Sequence, residues 1–210
     1  MKTVEIIGYK RANLGKAESK RLRNEGYVPC VIYGGNEQIH FYAPMILFKE
    51  LVYTPEAHFV NLNIEGIEKR AILQDIQFHP VSEIILHADF LELFEGKDVT
   101  MNIPVKPHGV APGVQKGGRL MHKTKYLSIK ALPKNMPDAI HIDVSKLDMG
   151  DTIKVSEIEE KDFSILNSSR VTIASVNVPR SARNVEEEEM EGEEMEAEGA
   201  EEGEGENTED

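Results

Sequence analysis

The chain has 210 residues, 40% of them apolar, with no tryptophan and a single cysteine, Cys30. Its formal charge of −13 is concentrated at one end: residues 186 to 210 carry 15 carboxylates and no Lys or Arg, leaving 22 acids against 24 bases in the rest. These figures exclude a disulfide framework and a thiolate metal cluster. No run of 18 apolar residues offers a membrane span, and Met1-Lys2-Thr3-Val4-Glu5 does not read as a secretory signal, so the expected address is the cytoplasm.

In chain order, Thr3 to Gly8 reads as a strand, and Lys16 to Glu25 has helical composition that stops before Gly26. Val28 to Tyr33 is a β-rich run closed by Gly34-Gly35, and Gln38 to Tyr42 is a short strand candidate. Pro44 opens a second helix over Met45-Ile46-Leu47-Phe48, which ends before Pro55. Phe59 to Ile64 and Arg70 to Phe78 flank Glu65-Gly66, a hairpin turn, and Ile84 to Phe90 is a further strand. Short strands at this spacing favour a barrel or sandwich over βαβ units.

Beyond residue 95 the charge changes sign. Residues 1 to 95 hold 10 bases and 13 acids, whereas residues 96 to 185 hold 14 bases and 9 acids. The expected division is therefore 1–95, 96–185 and an acidic tail at 186–210. Val99 to Val105 is strand-like and meets Pro107. Gly109, Gly113, Gly117 and Gly118 predict a long, sharply turned loop. Tyr126 to Ala131, Ala139 to Val144, Thr152 to Val155 and Arg170 to Val178 are β candidates, and Lys146-Leu147 could start a short helical turn. The tail is mostly Glu and Gly with a few Ala and Met, too few apolar residues to offset the entropy of ordering, so it is expected to be disordered.

The most informative feature is the basic cluster Lys10, Arg11, Lys16, Lys20, Arg21 and Arg23. On a helix, Lys16, Lys20 and Arg23 share a face, Ser19 lies at its edge, and Leu22 points to the core. Such a face suits phosphate, the Arg forks most of all. It is equally what an ordinary solvated helix presents. A phosphate-binding loop at Gly15-Lys16 fails, because Gly8 is too far upstream and Ala17 stands where a hydroxyl belongs. A second polar cluster gathers Gln74, Asp75, Gln77, His79, His87 and Asp89. His87 and Asp89 face the same side of a strand. The set could recognise base edges or 2′-hydroxyls, or His79, His87 and Asp89 could hold zinc, although no ligand set has diagnostic spacing. Tyr33-Gly34-Gly35 sets a ring beside bare backbone, suited to stacking or to a tight turn.

Taken together, these pieces resemble the bacterial large-subunit ribosomal protein L25 family in its long form, the general stress protein CTC family. The resemblance runs through Arg11-x-x-x-Gly15-Lys16-x-x-Ser19-Lys20-Arg21-Leu22-Arg23-x-x-Gly26-x-x-Pro29, then Val31-Ile32-Tyr33-Gly34-Gly35. It continues in Gln74-Asp75-Ile76-Gln77-x-His79-Pro80 and His87-x-Asp89-Phe90. The second half is similar to the long form's C-terminal domain through Pro104-Val105, Gly118-Arg119-Leu120 and Val176-x-Val178-Pro179. Glu18 and Cys30 depart from the commoner small residue and Ala.

The resemblance implies a mainly β (α+β) chain, with an N-terminal six-stranded β-barrel with short helices and a second, mostly β domain. It implies a non-catalytic structural constituent of the large ribosomal subunit, without cofactor or metal. The partner implied is 5S rRNA, bound at an internal loop near the central protuberance; neighbouring rRNA and ribosomal proteins would meet the second domain. The implied RNA contacts are Arg11, Lys16, Ser19, Lys20, Arg21, Arg23, Tyr33, Gln74, His87 and Asp89. Two other readings of the residues stand beside this one: a non-ribosomal, protein-binding β module with an acidic arm, and a small metallohydrolase.

Overall fold

The computed structural model describes residues 1–35, 37–158 and 162–178. The expected tail at 186–210 lies outside the described residues, as does Pro179. The chain is mainly β, as expected. Its first six strands are β1 (Lys2–Lys10), β2 (Tyr27–Tyr33), β3 (Ile39–Pro44), β4 (His58–Ile64), β5 (Ile67–Phe78) and β6 (Ile85–Glu92). They close into a barrel in the order β1-β3-β2-β6-β5-β4. Closure removes sheet edges that would otherwise pair with other chains. Two contacts in this barrel are parallel: β1 with β4, from Lys2↔His58 to Gly8↔Ile64, and β2 with β6, from Cys30↔Ala88 to Tyr33↔Leu91.

Period-2 alternation fills the interior. Val4 and Ile6 of β1 and Val60, Leu62 and Ile64 of β4 point inward, while their neighbours Glu5 and Asn61 are exposed. Phe41, Phe48 and Phe90 are fully buried, with the Phe90 ring centroid 5.8 Å from that of Phe41 and 6.3 Å from that of Phe48. Each such side chain contributes roughly 1.5–3 kcal/mol by leaving water. Helix α1 (Lys16–Asn24) packs against β2, burying Leu22 as expected. The expected second helix is a 3₁₀ turn, Met45–Phe48, that continues into α2 (Lys49–Val52). Glu65 and Gly66 both adopt positive φ, 51° and 91°. That is the backbone demanded by a two-residue turn matching strand twist, and it joins β4 to β5.

The later strands are β7 (Val99–His108), β8 (Arg119–His122), β9 (Tyr126–Ala131), β10 (Ile140–Asp143), β11 (Thr152–Lys154), β12 (Ser164–Ile165) and β13 (Thr172–Asn177). They form a four-stranded sheet, β10-β7-β9-β12, and a three-stranded sheet, β11-β13-β8. β7 and β9 pair antiparallel from Val99↔Ala131 to Pro104↔Tyr126 and bury Ile103, Leu127 and Ile129. By compactness, residues 1–106, 125–142 and 158–168 form one unit, which contains the barrel and the four-stranded sheet. The three-stranded sheet belongs to the other unit.

Three expectations in the second half need correction. β7 runs through Pro107 instead of stopping before it. The glycine-rich loop contains a helical turn, α3 (Pro112–Gln115), and after residues 116–118 the chain enters β8. Ser145 and Lys146 form a turn closed by the Leu147 N–H donating to the Val144 carbonyl at 3.1 Å, and it does not continue into a helix.

Candidate nucleic-acid interface

The basic helix begins at Gly15, whose carbonyl accepts both the Ser19 N–H and the Ser19 hydroxyl at 3.0 Å. Ser19 Oγ in turn accepts a hydrogen bond from Arg11 Nη2 at 3.0 Å. Arg11 is thereby folded back onto the helix, half-buried, with its Nε sealed and without a hydrogen-bond partner among the described residues. Lys16 and Lys20 are exposed on the outer face, with no ion-pair partner among the described residues. Arg21 is also exposed but carries two acids: Glu18 at 2.6 Å and Glu25 at 3.8 Å. Its guanidinium is therefore held above its ordinary pKa, first by the hydrogen bond to Glu18.

Arg23 departs from the expected solvent-facing arrangement. It is half-buried, and its Nε donates to the Leu86 carbonyl at 3.0 Å. The reason is topological. The β2–β6 pairing begins at Cys30↔Ala88, and Leu86 lies before that register, so Arg23 satisfies its carbonyl. This hydrogen bond ties the helix to β6 beside His87.

On β6, Ala88 and Phe90 point into the barrel, so His87 and Asp89 share the outer face. His87 Nδ1 stands 2.7 Å from Asp89 Oδ1, an ion-pair distance without hydrogen-bond alignment. Across the β5–β6 ladder, Gln77 lies opposite His87 and Asp75 lies opposite Asp89. Two carboxylates are thus paired across strands. Tyr33, at the end of β2, lies near them: its phenol is pushed above 10 by desolvation first, then by Asp89 and Asp75. Burial raises the Cys30 thiol well above its usual value; Asp89 adds to that rise and Arg11 opposes it, so both charges flank the same stretch of β2. Gly34 turns at φ +96°, and a Cβ on Gly35 would fall 2.0 Å from a Glu92 carboxylate oxygen. The glycine pair therefore lets the strand end lie close against β6.

The structure thus gathers Arg11, Ser19, Arg23, Tyr33, His87 and Asp89 around β2 and β6, with Lys16, Lys20 and Arg21 on the adjoining helix. Gln74 is placed differently. It is the extra residue of a bulge between Leu73 and Asp75, and it lines a cavity beside His58 and Asn102. The zinc triad is not assembled. His79 Nδ1 accepts the backbone N–H groups of Val81 and Ser82 at 3.3 and 3.2 Å, so it closes the hairpin turn. Among the described residues no group of three His, Cys, Asp or Glu is placed to hold a metal.

Sequence reasoning missed an aromatic group beside the helix. Tyr42 lies 5.6 Å from Tyr9 and 5.3 Å, edge-on, from Tyr27. Its signal was present: aromatic residues on strands that register pairs directly, Tyr9↔Tyr42, or two places apart.

Comparison with known proteins agrees with this architecture. Residues 6–90 match the ribosomal L25p family, and residues 98–180 match the C-terminal domain of ribosomal protein TL5. The chain is 56% identical over 183 residues to the large ribosomal subunit protein bL25 of Amoebophilus asiaticus, covering 87% of this chain and 93% of that one. It is 49% identical to bL25 of Cytophaga hutchinsonii (89% and 97% covered) and 39% identical to bL25 of Bacteroides fragilis (87% and 96%). The chain belongs to the ribosomal L25p family.

Proposed function

We propose, with membership of the L25p family as the premise, that this chain is a non-catalytic constituent of the large ribosomal subunit, in the cytoplasm, and that it binds 5S rRNA at an internal loop near the central protuberance. The observation that supports the RNA reading most directly is the tie between Arg23 and Leu86, which fixes a helix carrying free Lys16 and Lys20 beside the His87–Asp89 face. Phosphate-seeking groups and edge-reading groups then lie side by side. The lysines contribute affinity without sequence information, while His87, Asp89 and Tyr33 can discriminate. Asp89 accepts from a base amino group, which a lysine cannot do. Residues 96–185, net basic by 14 to 9, meet neighbouring rRNA or ribosomal proteins in the assembled particle.

The deciding measurement is paired binding of Asp89→Asn to cognate 5S rRNA and to 5S rRNA with its internal loop scrambled. The expected result is a loss of about 1–3 kcal/mol on the cognate RNA alone. Equal loss on both RNAs would remove Asp89 from recognition. Failure of the wild-type protein to prefer 5S rRNA would remove the RNA assignment itself.

A further inference from the structure

His58 opens β4 and is the largest polar side chain buried in the barrel unit, at 8% exposure. Its Nδ1 is sealed without a hydrogen-bond partner among the described residues. With Nδ1 sealed, Nε2 is the ring nitrogen left to meet a ligand. The imidazole borders a cavity of about 180 Å³ whose apolar wall includes Leu73 and Met101. Gln74, Thr100 and Asn102 complete the lining and are themselves exposed, so the cavity opens among them. Mouths of β-barrels are recurrent places for such sites.

Volume and chemistry narrow the occupant. A volume of about 150 Å³ is enough for a benzene ring, so this half-open, mainly polar cleft has room for a single six-membered ring. Glu56, the acid in the lining, already pairs with Lys2 Nζ at 2.6 Å and Lys106 Nζ at 3.6 Å, which disfavours a charged guest. Asn102 Oδ1 accepts the Ser128 hydroxyl at 2.7 Å, leaving its amide N–H groups to donate. His58 adds a second donor, and Gln74 offers both donor and acceptor. Two donors and a donor–acceptor amide complement the carbonyl, N–H, carbonyl edge of uracil. We propose that this cavity takes one pyrimidine base of the uracil type, either extruded from bound RNA or belonging to a free nucleoside. The RNA source rests on the proposed function above, because Gln74 is shared between this cavity and the implied RNA contacts.

The test uses the full-length protein, with uridine and adenosine as probes in saturation-transfer NMR, and 5S rRNA in a binding assay. Thr100→Trp fills the mouth from an exposed strand position, and His58→Phe removes the donor. The expected result is transfer to uridine, little to adenosine, and loss of the uridine signal in either variant. A fall of about tenfold in 5S rRNA affinity with Thr100→Trp assigns the base to the RNA. Unchanged RNA affinity with loss of the uridine signal assigns it to a free nucleoside. Absence of uridine transfer together with unchanged RNA affinity overturns the proposal, as does a uridine signal that survives both variants. If the wild-type protein does not bind 5S rRNA, the RNA reading fails by itself and the uridine arm alone decides the cavity.

Discussion

Replacing basic residues of helix α1 should separate binding from stability, because the structure gives them different work. Lys16 and Lys20 are exposed and unpaired among the described residues, so Lys16→Ala with Lys20→Ala should leave the barrel's unfolding unchanged. Two phosphate contacts would disappear, lowering the slope of log affinity against log salt by about 1.5–2. Arg23 is half-buried and donates to Leu86 O at 3.0 Å. A hydrogen bond from a charged donor is worth about 1.5–3 kcal/mol, and its loss leaves the Leu86 carbonyl unpaired. At about 2 kcal/mol, Arg23→Ala should lower the melting temperature by roughly 4–8 °C for a chain of this size. Its effect on RNA binding should persist at high salt, since it arises from a displaced helix and not from a lost counterion exchange. The assay is thermal melting beside a salt titration of 5S rRNA binding for both variants. An Arg23→Ala protein with an unchanged melt and a salt slope like that of the lysine variant would refute the reasoning.

Other outcomes follow from the same geometry. Asp75→Asn removes one of two carboxylates paired across β5 and β6 and should stabilise the barrel by about 0.2–1 kcal/mol in urea unfolding, since like charges directly opposite are destabilising. The same change should move the Tyr33 phenol back toward 10, read by its NMR titration; because its native pKa is raised, Tyr33 contributes stability present below pH 10 and lost as pH rises through the native value. Asp148 is held below 3.8, first by Lys116, so its contribution is present above pH 3.8 and lost as pH falls through the lower native value; Asp148→Asn should flatten that acid limb of unfolding. Residues 1–95 expressed alone should bind 5S rRNA, as α1 and the His87–Asp89 face are both retained, and a non-cooperative melt of that fragment would count against a boundary at 95. Deleting residues 186–210 takes the formal charge from −13 to +2 and should raise association with unrelated RNA at low salt while leaving the melt unchanged.

Local signals were readable where local chemistry decides. Glu65-Gly66 announced its hairpin because few residue pairs tolerate two successive positive φ values. Leu22 announced the buried side of α1 through spacing alone. What tertiary pairing decides was not readable. Nothing near Arg23 indicates a partner 63 residues away, and the Gln74 bulge exists only as a register shift against β6. The glycine-rich segment misled for a different reason. A Cβ on Gly113 would meet the Asp148 backbone at 2.6 Å, and one on Gly118 would meet Gly113 O at 2.6 Å. Those two glycines serve close packing, so reading them as turn-formers hid α3 and the start of β8. Pro107 stays in β7 because it lies beyond both the Pro104↔Tyr126 pair and the Val105 N–H bond to the Lys125 carbonyl, where the ladder no longer needs its N–H.

The two parallel seams of the barrel also set an order of events during synthesis. Lys2 waits for His58, and Cys30 waits for Ala88, before either seam can close. Pairings between such distant residues form slowly, after the intervening chain has been looped. Helix α1 is made among the first 25 residues, yet the carbonyl that anchors it belongs to Leu86. An incomplete chain therefore carries the lysines without the fixed surface that aims them. A chain that stops before Leu86 thus holds α1 without the carbonyl that anchors it, and the placement of the helix against β6 is the last feature the barrel acquires.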